Sequence, residues 1–170
     1  MLVKSSWRRA VKDPTTKPGH LARRFQQIAV AVFHAEVEDA GYDLTPVQYA
    51  ALAAVGTHPG MDQATLAGAI AYDRTTITGV VDRLVQKGLV VRKQNSRDRR
   101  AHALEMTEAG RKSLRGIEPS VEAAQRAMLC GLTAAEAKEL MRLMRKAIDA
   151  ANELSRAPLR EAPVAMAKKA

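Results

Sequence analysis

Arginine and lysine crowd one short stretch of this chain. Arg83, Lys87, Arg92, Lys93, Arg97, Arg99 and Arg100 are opposed between positions 83 and 100 only by Asp98. Guanidinium and ammonium groups at that density repel one another and gain little from exposed pairing, so they call for a neutralising polyanion outside the fold. Just upstream, Arg74, Thr75, Thr76, Thr78, Gly79, Asp82 and Arg83 place hydroxyls and cations at helical spacing. Hydroxyls bond phosphates or base edges, Gly79 permits close approach, and Arg83 can donate two bonds to guanine. Read alone, the same face is also that of an ordinary solvated helix. Catalytic chemistry finds no comparable footing, because no nucleophile with its base, paired acid and base, or phosphate-cradling loop stands at a recognisable spacing. His34, His58 and His102 lack metal-ligand spacing, so the expectation is a protein that is not an enzyme and needs no metal or cofactor.

The whole chain carries the same bias. Its 170 residues have a formal charge of +9 and an isoelectric point of about 10.1, which suits nucleic acid or an acidic membrane surface. Few aromatic residues and abundant Ala, Leu, Val, Arg and Glu favour helix. The length suits one domain, or one domain with a dimerisation extension. The only cysteine, Cys130, has no partner for a disulfide, which speaks against redox sensing. No apolar stretch matches a signal peptide or a membrane span, so a cytoplasmic protein with no membrane partner is expected.

The elements that must position these side chains follow from periodicity and caps. Residues 1–19 read as a basic tail. From His20 to about Asp39 runs a helix with two apolar strips, Leu21, Phe25, Ile28, Val32 and Ala35 on one side and Val30, Phe33 and Val37 on the other. Thr45, Pro46 and Gln48 open a second helix with a capping box. Asp62 caps a short helix carrying Leu66, Ala67 and Ile70, and Asp73 caps another whose Ile77, Val80, Val81, Leu84 and Val85 form one stripe ending at Gly88. Residues 89–93 and 101–106 are strand-like and enclose the polar tip from Asn95 to Arg100, a hairpin. Thr107 caps a long helix in which Pro119 predicts a kink or a broken hydrogen bond. Thr133 and Glu136 box the last helix, and residues 157–170, with Pro158 and Pro163, read as a flexible tail.

The fold class expected is mainly α with a small β-hairpin wing: a winged helix-turn-helix with a helical dimerisation region. The helix-turn-helix spans about 62–88, the wing about 89–106, and the dimerisation helices about 20–40 and 107–155, within a domain at 20–156. The run from Asp73 to Leu84, followed by Lys87, Gly88, Leu89 and Val90, resembles the recognition helix of MarR-family regulators. Asp98, Arg99 and Arg100, continuing to Leu104, Met106 and Thr107, resemble that family's wing signature, with Met in place of Leu. The likeness extends from His20 to Leu154. It implies a homodimer that straddles a pseudo-palindromic operator in double-stranded DNA, represses transcription, and is released by a small aromatic carboxylate or phenolic effector. Arg97, Arg99 or Arg100 at the wing tip, beside a helix in the major groove, would then enter the minor groove, with Asp98 orienting a neighbouring arginine and limiting their mutual repulsion.

For the effector, the stretches Pro18 to Ile28 and Leu44 to Leu52 resemble the branch of the family that controls breakdown of aromatic and heteroaromatic acids, including nicotinate-type compounds. Arg24, beside the strip of Leu21 and Ile28, with His20 one turn earlier and Gln27 nearby, is placed to hold a ligand carboxylate in a bidentate pair. It can equally pair with an acidic side chain across a dimer. Tyr49, with Phe33 and Tyr72, lines such a pocket or belongs to the core. Two rival functions stay open on the sequence: an architectural DNA-binding protein, and a winged-helix adaptor for other proteins.

Overall fold

The computed structural model describes residues 13–94 and 102–162. Within them six helices and a hairpin follow one another: α1 (Pro18–Asp39), α2 (Pro46–Thr57), α3 (Gln63–Ala69), α4 (Arg74–Gln86), β1 (Val90–Gln94), β2 (His102–Met106), α5 (Glu108–Met128) and α6 (Ala134–Ala151). Single 3-10 turns precede α1 and follow α6. The architecture is the mainly helical winged helix-turn-helix expected from the sequence.

Local chemistry sets the boundaries. Thr45 Oγ1 accepts from Gln48 N at 3.3 Å while Gln48 Oε1 accepts from Thr45 N at 3.2 Å, so the box that opens α2 is reciprocal. Thr133 and Glu136 repeat it at α6. Asp62 caps α3 through Thr65 N at 2.7 Å. α1 starts at Pro18, two residues before the expected His20, because proline at the first helical position gives up an N–H that would have no partner there. At the other end of the helix-turn-helix Gly88 adopts φ +70°, a conformation that costs glycine nothing and ends α4 in a tight turn into β1.

β1 and β2 pair antiparallel from Val90 opposite Met106 to Gln94 opposite His102. The sequence reading missed a third contribution: Asp62 bridges Ala103, with Gly60 N donating to Leu104 O at 2.9 Å and Leu104 N to Met61 O at 2.8 Å. The loop ahead of α3 thereby stitches the wing's base to the helix-turn-helix. Leu52, Leu66, Ile77, Val81, Leu84, Val90 and Leu104 are almost wholly buried, and one core joins α2, α3, α4 and the hairpin to Ile117 of α5. Gly110 allows α5 to start against the wing, since a Cβ there would stand 2.2 Å from Leu89 O.

α1 and α5 pack along each other. Phe33 and Val37 of α1 are buried, whereas Leu21 and Ile28 of the other strip stay 57% and 43% exposed within the protomer. α5 runs through Pro119 without a break, with the ring on the exposed face. A carbonyl freed there faces water. α6 has no buried residue, and its Met141, Leu143 and Ile148 are about half exposed or more. The C-terminal segment expected to be a tail from residue 157 is, as far as Ala162, laid back on the body: Arg160 N donates to Gly68 O at 2.9 Å.

Candidate nucleic-acid interface and effector residues

α4 stands on the core through Ile77, Val80, Val81 and Leu84. That fixes which way its remaining residues point. Arg74, Thr75, Thr76, Thr78, Gly79, Asp82 and Arg83 are all exposed, along a face that no other described element covers. Asp73 organises the start of the helix: its carboxylate accepts from Thr75 N at 3.0 Å, Thr76 N at 2.9 Å and Thr76 Oγ1 at 2.7 Å. Bonds from the Thr76 backbone and hydroxyl favour the charged form and hold this carboxyl below the usual range.

The threonines differ in what they can still do. Thr76 spends its hydroxyl proton on Asp73. Thr78 Oγ1 donates to Arg74 O at 3.1 Å and accepts from Gln63 Nε2 at 2.7 Å, which clamps α4 to α3. Among the described residues Thr75 Oγ1 has no hydrogen-bond partner, so it is the hydroxyl left for an external group. Gly79 faces open space, with nothing within 4 Å of an added Cβ.

Asp82, read from the sequence as a DNA-facing residue, is bound to Arg92 of β1, Nη2 to Oδ1 at 2.6 Å. The pair ties the recognition-helix candidate to the wing, which is a positioning contact and not a free acceptor for a base. Two more of the clustered cations are likewise engaged: Lys93 with Glu105 across the hairpin at 2.5 Å, and Lys87 with Asp43 in the loop between α1 and α2. Exposed pairs of this kind contribute little to stability, but they fix where a helix and a ribbon stand. Arg83 reaches Gln86 Oε1 at 3.3 Å, a weak bond that leaves most of its donors available. Arg97, Asp98, Arg99 and Arg100 lie outside the described residues. Sequence reasoning missed Gln63 and Arg92 as positioning residues; Gln63 directly follows the Asp62 cap, where the first helix of such a motif meets the second.

The effector candidates are not brought together within one protomer. Tyr49 lines a cleft of about 330 Å³ between α2, the wing and α5, with Met106, Leu114, Arg111, Arg115 and Glu118. Its hydroxyl donates to Glu118 Oε2 at 3.0 Å. Burial, that bond and the charges of Glu118 and Glu122 push its pKa up to about 12, so it stays a protonated donor. Both arginines of the cleft are engaged by Glu108, at 2.8 Å and 3.5 Å. His20, Arg24 and Gln27 lie at the start of α1 and do not line this cleft. Phe33, whose ring meets Tyr49 at 6.0 Å, is nine residues beyond Arg24, roughly 14 Å along the helix axis. Gln27 Oε1 accepts from Arg23 at 3.0 Å, while Arg24 is exposed and has no ion-pair partner among the described residues. It is exposed because Leu21 and Ile28 around it are not covered by their own chain.

Comparison with known proteins places this arrangement. Residues 44–102 match the family model described as MarR family. The chain is 34% identical over 137 residues to the HTH-type transcriptional repressor NicR of Pseudomonas putida, across 81% of this chain and 85% of that protein. The crystal structure of the PcaV transcriptional regulator from Streptomyces coelicolor, solved with its natural ligand, superposes with a TM-score of 0.75 at 34% identity, covering 83% of this chain and 98% of that one. Bordetella bronchiseptica BpsR, whose DNA binding is regulated by 6-hydroxynicotinic acid, gives 0.76 at 29% identity, covering 82% and 98%.

Proposed function

Since this chain belongs to the MarR family of transcriptional regulators, we propose that it acts as a homodimeric repressor whose paired α4 helices and wings grip a pseudo-palindromic operator and let go when a small aromatic acid binds. The observation that carries the DNA-binding part is the outer face of α4, exposed from Arg74 to Arg83 and held to the wing by Asp82 and Arg92. Thr75, Gly79 and Arg83 are assigned to groove contacts, with Arg74, Thr76 and Thr78 along the same edge. The tip residues Arg97, Arg99 and Arg100 are assigned to the neighbouring minor groove on their charge, and Asp98 to orienting a neighbouring arginine.

Dimerisation is supported by what the protomer leaves uncovered: Leu21 and Ile28 of α1, and Met141, Leu143 and Ile148 of α6. A second copy that covers these strips also removes solvent from around Arg24. In that setting an unpaired guanidinium, with His20 beside it, becomes the anchor for a carboxylate. The Tyr49 cleft is the weaker anchor, because its arginines already hold Glu108 and two glutamates stand near its phenol. Tyr49 is assigned to the wall of the effector region, and Gln27 to orienting Arg23. The structural neighbour BpsR, whose DNA binding is regulated by 6-hydroxynicotinic acid, supports an acid of the heteroaromatic type.

The test is footprinting and fluorescence anisotropy on the chain's own promoter region, with and without aromatic carboxylates. A protected dyad-symmetric site that is lost on adding ligand is the expected result. Sequence-indifferent coating of DNA identifies an architectural protein, and failure to bind DNA identifies an adaptor. Arg24→Ala should keep operator affinity yet blunt release; release at the wild-type ligand concentration overturns the anchor. The ligand must favour the weakly binding conformation, and typical coupling of about 1 to 3 kcal/mol corresponds to a roughly 5- to 150-fold loss of affinity.

A further inference from the structure

After α6 the chain turns at Asn152–Leu154 and comes back across the surface of the helix-turn-helix. Polar bonds hold most of this return, and Ala162 at its far end packs against the core. Asn152 brackets the backbone of Leu159, its Oδ1 accepting from Leu159 N at 2.8 Å and its Nδ2 donating to Leu159 O at 3.2 Å. Glu153 takes two bonds from the guanidinium of Arg160, at 2.5 Å and 2.9 Å. Leu159 itself is 50% exposed. Among the described residues the segment's one backbone bond to the body runs from Arg160 N to Gly68 O, a carbonyl in the last turn of α3. Gly68 O also accepts from Ala71 N at 3.2 Å in the turn that ends α3, so Arg160 N is a second donor to a carbonyl at the end of a helix of only seven residues.

Gly68 lets this contact come close. A Cβ at that position would lie 3.1 Å from Arg160 Cβ and 3.4 Å from its Cγ. From Gly68 the connection continues, for α3 packs on α4 and Gln63 Nε2 holds Thr78 Oγ1. At its other end the segment begins at α6, which buries nothing against its own body.

We infer that Ser155–Ala162 is a strap that couples α6 to α3, and that Asn152, Gly68 and Arg160 are positioning residues for the DNA-binding helices. The inference rests on the dimeric-repressor reading: if the second copy fixes α6, the strap transmits that position to α3 and thence to α4. A helix pair tied to the dimer at two ends, through α5 and through the strap, holds its spacing for successive major grooves better than one tied at a single end. Operator recognition depends on that spacing, whereas non-specific binding, dominated by phosphate charge, depends on it far less.

The experiment uses the full-length chain with Asn152→Ala and, separately, Gly68→Ala. The first removes the bracket around Leu159; the second pushes Arg160 away while giving α3 a better helix former. Hydrogen exchange of α3 and α4 amides, operator affinity and affinity for a non-operator duplex are measured at one salt concentration, with dimer content checked by sedimentation. Both variants should exchange faster in α3 and lose operator affinity by roughly two- to thirtyfold, the range for changes along a coupling network, with non-operator affinity and dimer content unchanged. Two results overturn the strap: faster exchange with unchanged operator affinity makes it simple packing, and unchanged exchange in both variants means these contacts do not hold it. The exchange arm needs no DNA, so a wild-type chain that ignores its promoter defeats the repressor reading while leaving the mechanical claim separately measured.

Discussion

Gly79→Ala separates the demands of folding from those of DNA. In the free protein a methyl group at this position meets nothing within 4 Å, and the residue lies inside α4, five positions after its first residue. Alanine in a helix interior is favoured over glycine by about 0.8 to 1 kcal/mol. For a chain of this size that predicts a melting temperature higher by roughly 2 to 4 °C. On the operator the sign reverses. If the outer face of α4 is pressed into the groove, the new methyl occupies the space that close approach requires, and overpacking of a tight contact costs about 1 to 3 kcal/mol. Affinity then falls about 5- to 150-fold. The assay is calorimetry on the free protein, with anisotropy on operator and non-operator duplexes at fixed salt. A variant that melts higher yet binds operator within twofold of wild type would remove this face from the DNA. Failure to melt higher would instead undo the helix argument.

The wing anchor invites a double-mutant cycle: Arg92→Ala and Asp82→Ala should each weaken operator binding by a similar factor, and the double variant by no more than either. Additive losses would mean that the two residues act independently. Ile148→Asp, on a face of α6 that is 57% exposed in the protomer, should dissociate the dimer and abolish operator binding while leaving the α1 to α5 core folded by circular dichroism. A variant that remains dimeric refutes the interface. Acid should act late. The carboxylates of Asp43, Asp73, Glu108, Glu136 and Glu153 are all held below their ordinary values, chiefly by hydrogen bonds from Lys87, Thr76, Arg111, Thr133 and Arg160 respectively. The unfolded chain therefore binds protons first. Their stabilisation is complete above the ordinary carboxylate range and is lost as pH falls through the depressed values. Melting temperature should decline steeply only below pH 4.5, the ordinary glutamate value; a fall centred near neutrality contradicts this.

What could be read from sequence were the features with short-range physical causes. The boxes at Thr45 and Thr133 and the caps at Asp62, Asp73 and Thr107 each involve residues two or three apart, and all five form. The stripe from Ile77 to Leu84 is buried as its period implies, with Val85 only half covered. Long-range matters were not legible. Nothing in the spacing of Leu21 and Ile28 says whether their own chain or a second copy covers them. Gly60 to Asp62 carries no alternation, so its bridge to the wing has no sequence signal. Ser155–Ala162 has prolines and charges typical of a tail, and the bonds that seat it reach back to Gly68, nearly a hundred residues earlier. Asp82 has the chemistry of a base contact; only the fold reveals Arg92 beside it.

That last pair bears on how the net charge of +9 should be understood. Lys87, Arg92, Lys93, Arg111, Arg115, Arg142 and Arg160 are each matched by a carboxylate of the same chain. A cation paired with a carboxylate has no net charge at a distance, so the long-range field that brings a polyanion near comes from the excess of +9. Paired cations are also poor phosphate ligands, since leaving a carboxylate behind costs much of what the phosphate returns. On α4 the arginines left to release counterions are Arg74 and Arg83, beside the arginines assigned to the wing tip. On the proposed reading, recognition depends on how rigidly those few are held, and the contacts that hold them are Asp82 with Arg92, Gln63 with Thr78, and Asp73 with Thr76. Net charge would then govern arrival at DNA, and these internal contacts would set which DNA keeps the protein there.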